Sequence, residues 1–298
     1  MRFTRVAGLC MLFSLLLATQ TNAQTNTPNT GDYRTAAGTA FNWNATGNWE
    51  RWDGTTWVRN PPEGYPGQNQ GTGTVTILAG ATVTINVPPQ LLNPIGGLVV
   101  SGVLQFDNTN GRVLTVGAGG VTIAPGGQFN ASGTTQDGGN DTHTLTIQNG
   151  GSLTNNGTIN FRRPDGANFD VVNLNLSGDL AGTGTSSTFN NITFNGTNNQ
   201  TITIGGPISV QAVTYNNTGT APNNRIINES TVFTDALTRR QTLAGATNIS
   251  TFTAGNYVHD VDGVCVVLGA AEVTWKMPPG FTRTLPPFTV NVWAALPN

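Results

Sequence analysis

Charge is scarce in this chain: 13 Lys and Arg and 15 Asp and Glu are spread over 298 residues, and Lys276 is the only lysine. So few cations give no basic patch to neutralise a run of phosphates, which excludes nucleic acid as an expected partner. Histidine is nearly missing. His143 and His259 stand far apart, and no Cys or His spacing resembles a metal site. No window keeps a 3.6-residue apolar period, so almost no helix is expected. Phosphate-binding and dinucleotide fingerprints need a strand running into a helix, and they fall with it. No nucleophile-elbow signature is present either. No apolar run is long enough to span a bilayer as a helix, so no transmembrane segment is expected.

The longest apolar run, Val6 to Ala18, follows Arg2 and Arg5 and precedes the small residues Thr21-Asn22-Ala23. That order predicts a signal peptide over 1–23, removed before Gln24, and hence a secreted, extracellular or cell-surface protein. Loss of Arg2 and Arg5 leaves 11 basic against 15 acidic residues, a net charge of −4. Cys10 leaves too, so Cys265 has no partner in its own chain. Its neighbours Val264, Val266 and Val267 predict a buried thiol.

What is abundant is threonine (47), glycine (38) and asparagine (35). Polar chains of low charge can be disordered, but here Val, Ile, Leu and Phe recur in regular alternation, which a disordered segment lacks. Residues 121–133 (VTIAPGGQFNASG) superpose on 145–157 (LTIQNGGSLTNNG) with a shift of 24. Aliphatic residues meet at Val121/Leu145, Ile123/Ile147 and Phe129/Leu153, and glycines at Gly126/Gly150, Gly127/Gly151 and Gly133/Gly157. Two short strands around a Gly-Gly corner, repeated, predict an all-β, single-stranded parallel β-solenoid (a β-helix, right-handed by the general crossover preference). Its corner glycines are expected at φ > 0. At 20–25 residues per coil, residues 71–263 would make about eight or nine coils, a rod near 40 Å long at about 4.8 Å per strand.

The flanks differ in texture. Residues 24–31 are a polar lead-in. Residues 32–70 hold Trp43, Trp49, Trp52 and Trp57, and read as a cap over the first coil, whose strand edges would otherwise be unpaired. The competing reading is an aromatic platform for sugar rings, with those four tryptophans as ligand-binding residues. Residues 264–298, with Pro278-Pro279, Pro286-Pro287, Trp275 and Trp293, are either a C-terminal cap or a truncated tail.

Two polar clusters could carry chemistry. Asp137-Gly138-Gly139-Asn140-Asp141 partly echoes a calcium-binding nonapeptide loop, giving Asp137, Asn140 and Asp141 as a calcium candidate. It occurs once, and sharing an ion between coils needs repetition. Arg162-Arg163-Pro164-Asp165 with Asp170 is the second. In an enzyme acting on a polysaccharide, Asp137, Asp141, Asp165 or Asp170 could form a carboxylate pair, with Arg162 holding an acidic sugar. The plainer alternative is a solvated turn with local ion pairs. The runs Thr74/Thr76, Thr82/Thr84, Thr142/Thr144/Thr146 and Thr201/Thr203 would array hydroxyls on an outward face and raise ice binding, though threonine is also a good soluble strand former.

The segments GTVTILAGATVTINV (73–87), IGGLVVSGVLQFDNTNGRVLTV (95–116) and HTLTIQNGGSLTNNGTINF (143–161) resemble the glycine-rich β-strand-repeat proteins secreted by Bacteroidota. The lead-in GNWERWDGTTWV (47–58) is similar to theirs, and residues 65–127 are partly similar to the glycine-rich domain of hyaluronidase-like and polycystin-type ectodomains. The resemblance implies an extracellular or cell-surface β-solenoid of adhesive character. Low charge and repeated polar turns suit a structural or matrix element, so the expectation is no enzymatic activity, no cofactor, and a polysaccharide or cell-surface component as partner. Self-association through coil ends is a further expectation. Many relatives end in a sorting domain for type IX secretion, which residues 264–298 do not match.

Overall fold

The computed structural model describes residues 27–36, 38, 40–133, 139–165, 168–220, 225–228 and 230, and the backbone of strands at 250–254, 256–261, 264–268 and 273–276. The expected signal peptide, and residues 277–298 of the expected C-terminal segment, lie outside them. The fold is all-β. Its helical content among the described residues is two single 3-10 turns, Thr46–Asn48 and Pro89–Leu91.

The strands fall into a 13-stranded and a 12-stranded sheet, and pairing within both is largely parallel. The chain visits them in turn: Thr74–Ile77 belongs to the first and Thr82–Ile85 to the second, then Gly97–Val100 to the first and Val103–Phe106 to the second. The second sheet has two tracks. One is built from Ala40–Asn42, Thr82–Ile85, Val103–Phe106, Gln128–Asn130 and Thr158–Asn160. The other runs through Val113–Val116, Thr142–Ile147 and Asn168–Leu176. Strand Ser186–Phe194 joins them, pairing through Ser186 to Thr188 with one track and through Asn191 to Phe194 with the other.

Burial alternates along most strands of the two sheets, because successive side chains point to opposite faces. Thr74–Ile77, Thr82–Ile85 and Val103–Phe106 each show the inward residues Val75 and Ile77, Val83 and Ile85, and Leu104 and Phe106 fully buried. In the first sheet Val75, Leu98, Val121, Leu153, Leu180 and Ile202 lie in one row across successive strands. All are at most 1% exposed, so each contributes about 1.5–3 kcal/mol of apolar burial. The aromatic rings Phe106, Phe129, Phe161 and Phe189 continue this core in the second sheet, with centroids 5.0–5.8 Å apart.

The register corrects the sequence alignment. Val121 does not stack on Leu145; it pairs with Leu98 and Leu153, 23 residues before and 32 after. Leu145 sits in the other sheet, between Leu114 and Leu174. The 24-residue match superposes two different corners of the winding, which share a strand–Gly-Gly–strand design. Offsets along the first sheet are 23, 23, 32, 27 and 22 residues, so no single period describes the stack.

The corner glycines divide their labour. Gly126 and Gly150 take φ of +82° and +76°, as expected of a bend, with open space where a Cβ would go. Gly127 and Gly151 do not have positive φ. A Cβ on Gly127 would collide with the Val100 carbonyl oxygen, and one on Gly151 with that of Gly117, so closeness of the neighbouring strand selects glycine there.

Parallel pairing begins before residue 71. Tyr33–Thr35 pairs with Thr74–Ile77, and Ala40–Asn42 with Thr82–Ile85. Strands Trp49–Trp52 and Trp57–Arg59 then extend the first sheet antiparallel. At the other end Asn256–Val261 is the last strand joined in parallel, and Val264–Leu268 and Val273–Lys276 follow antiparallel.

Candidate functional site

Departures from the basic winding gather at one corner, between the two tracks of the second sheet. Three excursions lie there, of which residues 107–112, 132–133 with 139–141, and 162–165 with 168–170 are described. The strand rows hold neighbouring circuits in register, so these three excursions stack on one another.

Their contacts are mostly backbone to side chain. Thr142 N–H donates to Asn110 Oδ1 at 2.9 Å and Gly111 N–H to the Thr142 carbonyl at 2.9 Å. Val171 N–H donates to the Asp141 carbonyl at 2.8 Å. Arg112 clamps Asp107 with two charge-assisted bonds of 2.7 and 2.6 Å, and this hydrogen bond raises the arginine's pKa. The third excursion is an antiparallel hairpin, Arg162–Asp165 against Asn168 to Val171.

Of the candidate carboxylates, Asp141 and Asp170 are described, and both are buried. Asp170 is buried at 1% exposure, and its Oδ1 accepts the Asp141 N–H at 3.3 Å. Asp141 is itself buried at 8%. Arg162 lies over the Phe169 ring at 3.6 Å, where it packs the hairpin. Asp137 and the side chain of Asp165 lie outside the described residues. For calcium, Asn140 Oδ1 is engaged by the Phe169 N–H at 3.3 Å. Among the described residues no three His, Cys, Asp or Glu side chains cluster as a metal site would require.

Two of the four tryptophans of the candidate sugar platform are core side chains. Trp43 and Trp49 are fully buried, their rings 5.1 Å apart, with the Trp43 indole N–H donating to the Pro66 carbonyl and that of Trp49 to the Trp43 carbonyl. No face of either is open to a sugar. Trp52 and Trp57 are half-buried against one another at 5.4 Å, and the Arg34 guanidinium covers Trp57 at 4.3 Å. The threonine runs separate as well: Thr74/Thr76 and Thr201 lie on the first sheet, Thr82/Thr84 and Thr142/Thr144/Thr146 on the two tracks of the second. They do not share one face.

His143 is the unusual group of this corner. It is fully buried, stacked on Phe106 at 4.7 Å and 8°, and neither ring nitrogen has a hydrogen-bond partner. Burial pushes its pKa down to about 4, against the opposing pull of the Asp107 and Asp170 carboxylates. It is a neutral ring completing an aromatic stack.

What the sequence did not disclose is a depression of about 390 Å³ on the outer face of the first track, floored by Thr82, Val103, Gln105, Gln128, Asn130 and Asn160. Arg163 overhangs it from the hairpin, held by an Nη1–H···O bond of 2.7 Å to the Ser132 carbonyl. Thr84, Gln105, Asn130, Asn160 and Thr188 occupy one register row across five strands. Gln105 donates to Thr84 at 3.1 Å and Thr188 to Asn160 at 2.9 Å. Strand alternation predicts outward side chains at these positions, but Gln105, Asn130 and Asn160 are spaced 25 and 30 residues apart, which hides the row from a search for repeats.

No helix among the described residues is long and apolar enough to cross a membrane. Comparison with family models, with curated proteins and with solved structures finds no match to this chain.

Proposed function

We propose that the chain is a secreted β-solenoid that acts as a non-catalytic structural or adhesive element of the cell surface or extracellular matrix. The observation that carries this reading is the stack itself: largely parallel strands packed, among the described residues, on one aliphatic and aromatic core from Tyr33 to Ile226. The outer faces of those strands carry mostly Thr, Asn, Gln and Ser, polar side chains with little charge. Such a rod is stiff, because each circuit is hydrogen bonded to the next, and it is insensitive to salt, because little of it rests on ion pairs. Three ion pairs are present among the described residues, and two of them join the Trp-rich segment. The tryptophans act in this reading as a plug, with Trp43 and Trp49 closing the first circuit.

The test is export and turnover together. The chain expressed from Met1 in a Gram-negative host, followed by N-terminal sequencing, is expected to yield a protein starting at Gln24 outside the cytoplasm. Incubated with a broad panel of polysaccharides, it is expected to release no new chain ends. A full-length cytoplasmic product would overturn secretion, and cleavage of any polysaccharide would overturn the non-catalytic role.

A further inference from the structure

Resting on that reading, we propose that the depression under Arg163 is a binding groove for an extended polysaccharide that carries carboxylates. The floor has the chemistry for sugars. Side-chain amides both donate and accept, so Gln105, Gln128, Asn130 and Asn160 can each answer a hydroxyl group whichever way its hydrogen points. The groove is also built in the right direction. Its two outward rows cross the strands at right angles, presenting a new polar side chain about every 4.8 Å, close to what one pyranose adds to an extended chain. Val103, among the polar groups, leaves one apolar spot for the carbon face of a ring.

Arg163 decides the charge of the ligand. Its guanidinium has five N–H donors, and the bond to Ser132 fixes one arm while leaving the planar fork at the rim. Among the described residues no carboxylate lines the depression, and Arg163 takes part in none of their ion pairs. A single cation in an uncharged wall selects a singly charged planar anion such as a uronic acid carboxylate. A nucleic acid backbone would need several such contacts in succession. A peptide strand would need a free sheet edge, and this groove lies across the middle of a sheet. With a net charge of −4 after loss of the leader, the chain as a whole repels polyanions, so binding has to come from this local contact.

The experiment uses residues 24–298 and two probes, polygalacturonate and its fully methyl-esterified form, with binding followed by calorimetry. Polygalacturonate is expected to bind at least about tenfold more tightly than the ester, the usual margin for one charge-assisted contact. Arg163→Gln should remove that margin while leaving ester binding nearly unchanged. Gln128→Glu, at an exposed position where folding is not at stake, should weaken polygalacturonate selectively by placing a like charge in the groove. Equal binding of both probes, or discrimination that survives both substitutions, would overturn recognition of the carboxylate. Binding of neither probe would overturn the groove. Export and absence of cleavage are read separately, so failure here and failure of the structural role are told apart.

Discussion

The Gly-Gly corner and the polar corner are built by the same chain under opposite rules. At the first, residues 124–127 and 148–151 turn within four residues, and neighbouring strands come so close that carbonyl oxygens occupy the space of a Cβ. At the second, the chain takes longer segments between strands, as with the six residues 107–112 between Val103–Phe106 and Val113–Val116. Slack is tolerated where the excursions satisfy their own backbone groups, as Asn110, Asn140 and Asp170 do for Thr142, Phe169 and Asp141. The tight corner sets the fold, and the loose corner is where an overhanging residue such as Arg163 can be supplied. The two can be separated by substitution.

The largest effect belongs to the tight corner. Gly127→Val is expected to cost about 3 kcal/mol or more, since both the Val100 and Ala124 carbonyls must move, and backbone yields less than side chains. Gly126→Ala should cost less, about 1–2 kcal/mol, because only its positive φ is at stake and the space around it is open. Denaturant melts of the two variants would rank them. The reverse order would mean that conformation, and not closeness, governs this corner.

Next comes the buried ring of the loose corner. The folded pKa of His143, about 4, lies below the ordinary value of 6.5, so the unfolded chain binds the extra proton first. Stability is therefore full above pH 6.5, falls as pH drops from 6.5 to 4, and levels off below; the loss is roughly 3 kcal/mol at about 1.4 per unit. His143→Leu should flatten that part of the profile. It should also raise the melting temperature at pH 8, because an unpaired buried N–H is removed. A profile that keeps its slope in the variant would place the acid sensitivity elsewhere. A smaller loss, about 1 kcal/mol, is expected for Asp107→Asn, which weakens a partly exposed clamp on Arg112. Salt should narrow that difference and leave the His143 effect unchanged.

The sequence disclosed the fold class because alternation of apolar residues survives any change of register: Val75 and Ile77 read as inward without knowing their neighbours. It misled on the period because the two glycine corners match each other better than either matches the circuit above it. The site was hidden for the same reason. Gln105, Asn130 and Asn160 fall at one spacing only after residues 107–112 and 131–141 are taken out of the count. Trp43 and Trp49 were ambiguous in a different way. Indoles that stack on sugar and indoles that plug a core look alike in sequence, and it is the Pro66 carbonyl, accepting the Trp43 N–H, that lets one be buried without loss.

The smallest effect is expected on an outer face, and it is the control for the rest. Thr146 is half-exposed on the second track, in the middle of a register row with Thr115 and Asn175. Its hydroxyl accepts a long bond of 3.3 Å from the Asn175 amide, and water replaces that partner readily. Valine keeps the β-branched shape and strand preference of threonine, so Thr146→Val should change stability by less than about 0.5 kcal/mol. It should also leave binding of polygalacturonate untouched, since the groove lies on the other track. If Thr146→Val were as costly as Gly127→Val, the distinction between a corner without slack and a face with it would fail, and with it the reason for expecting ligands on the face.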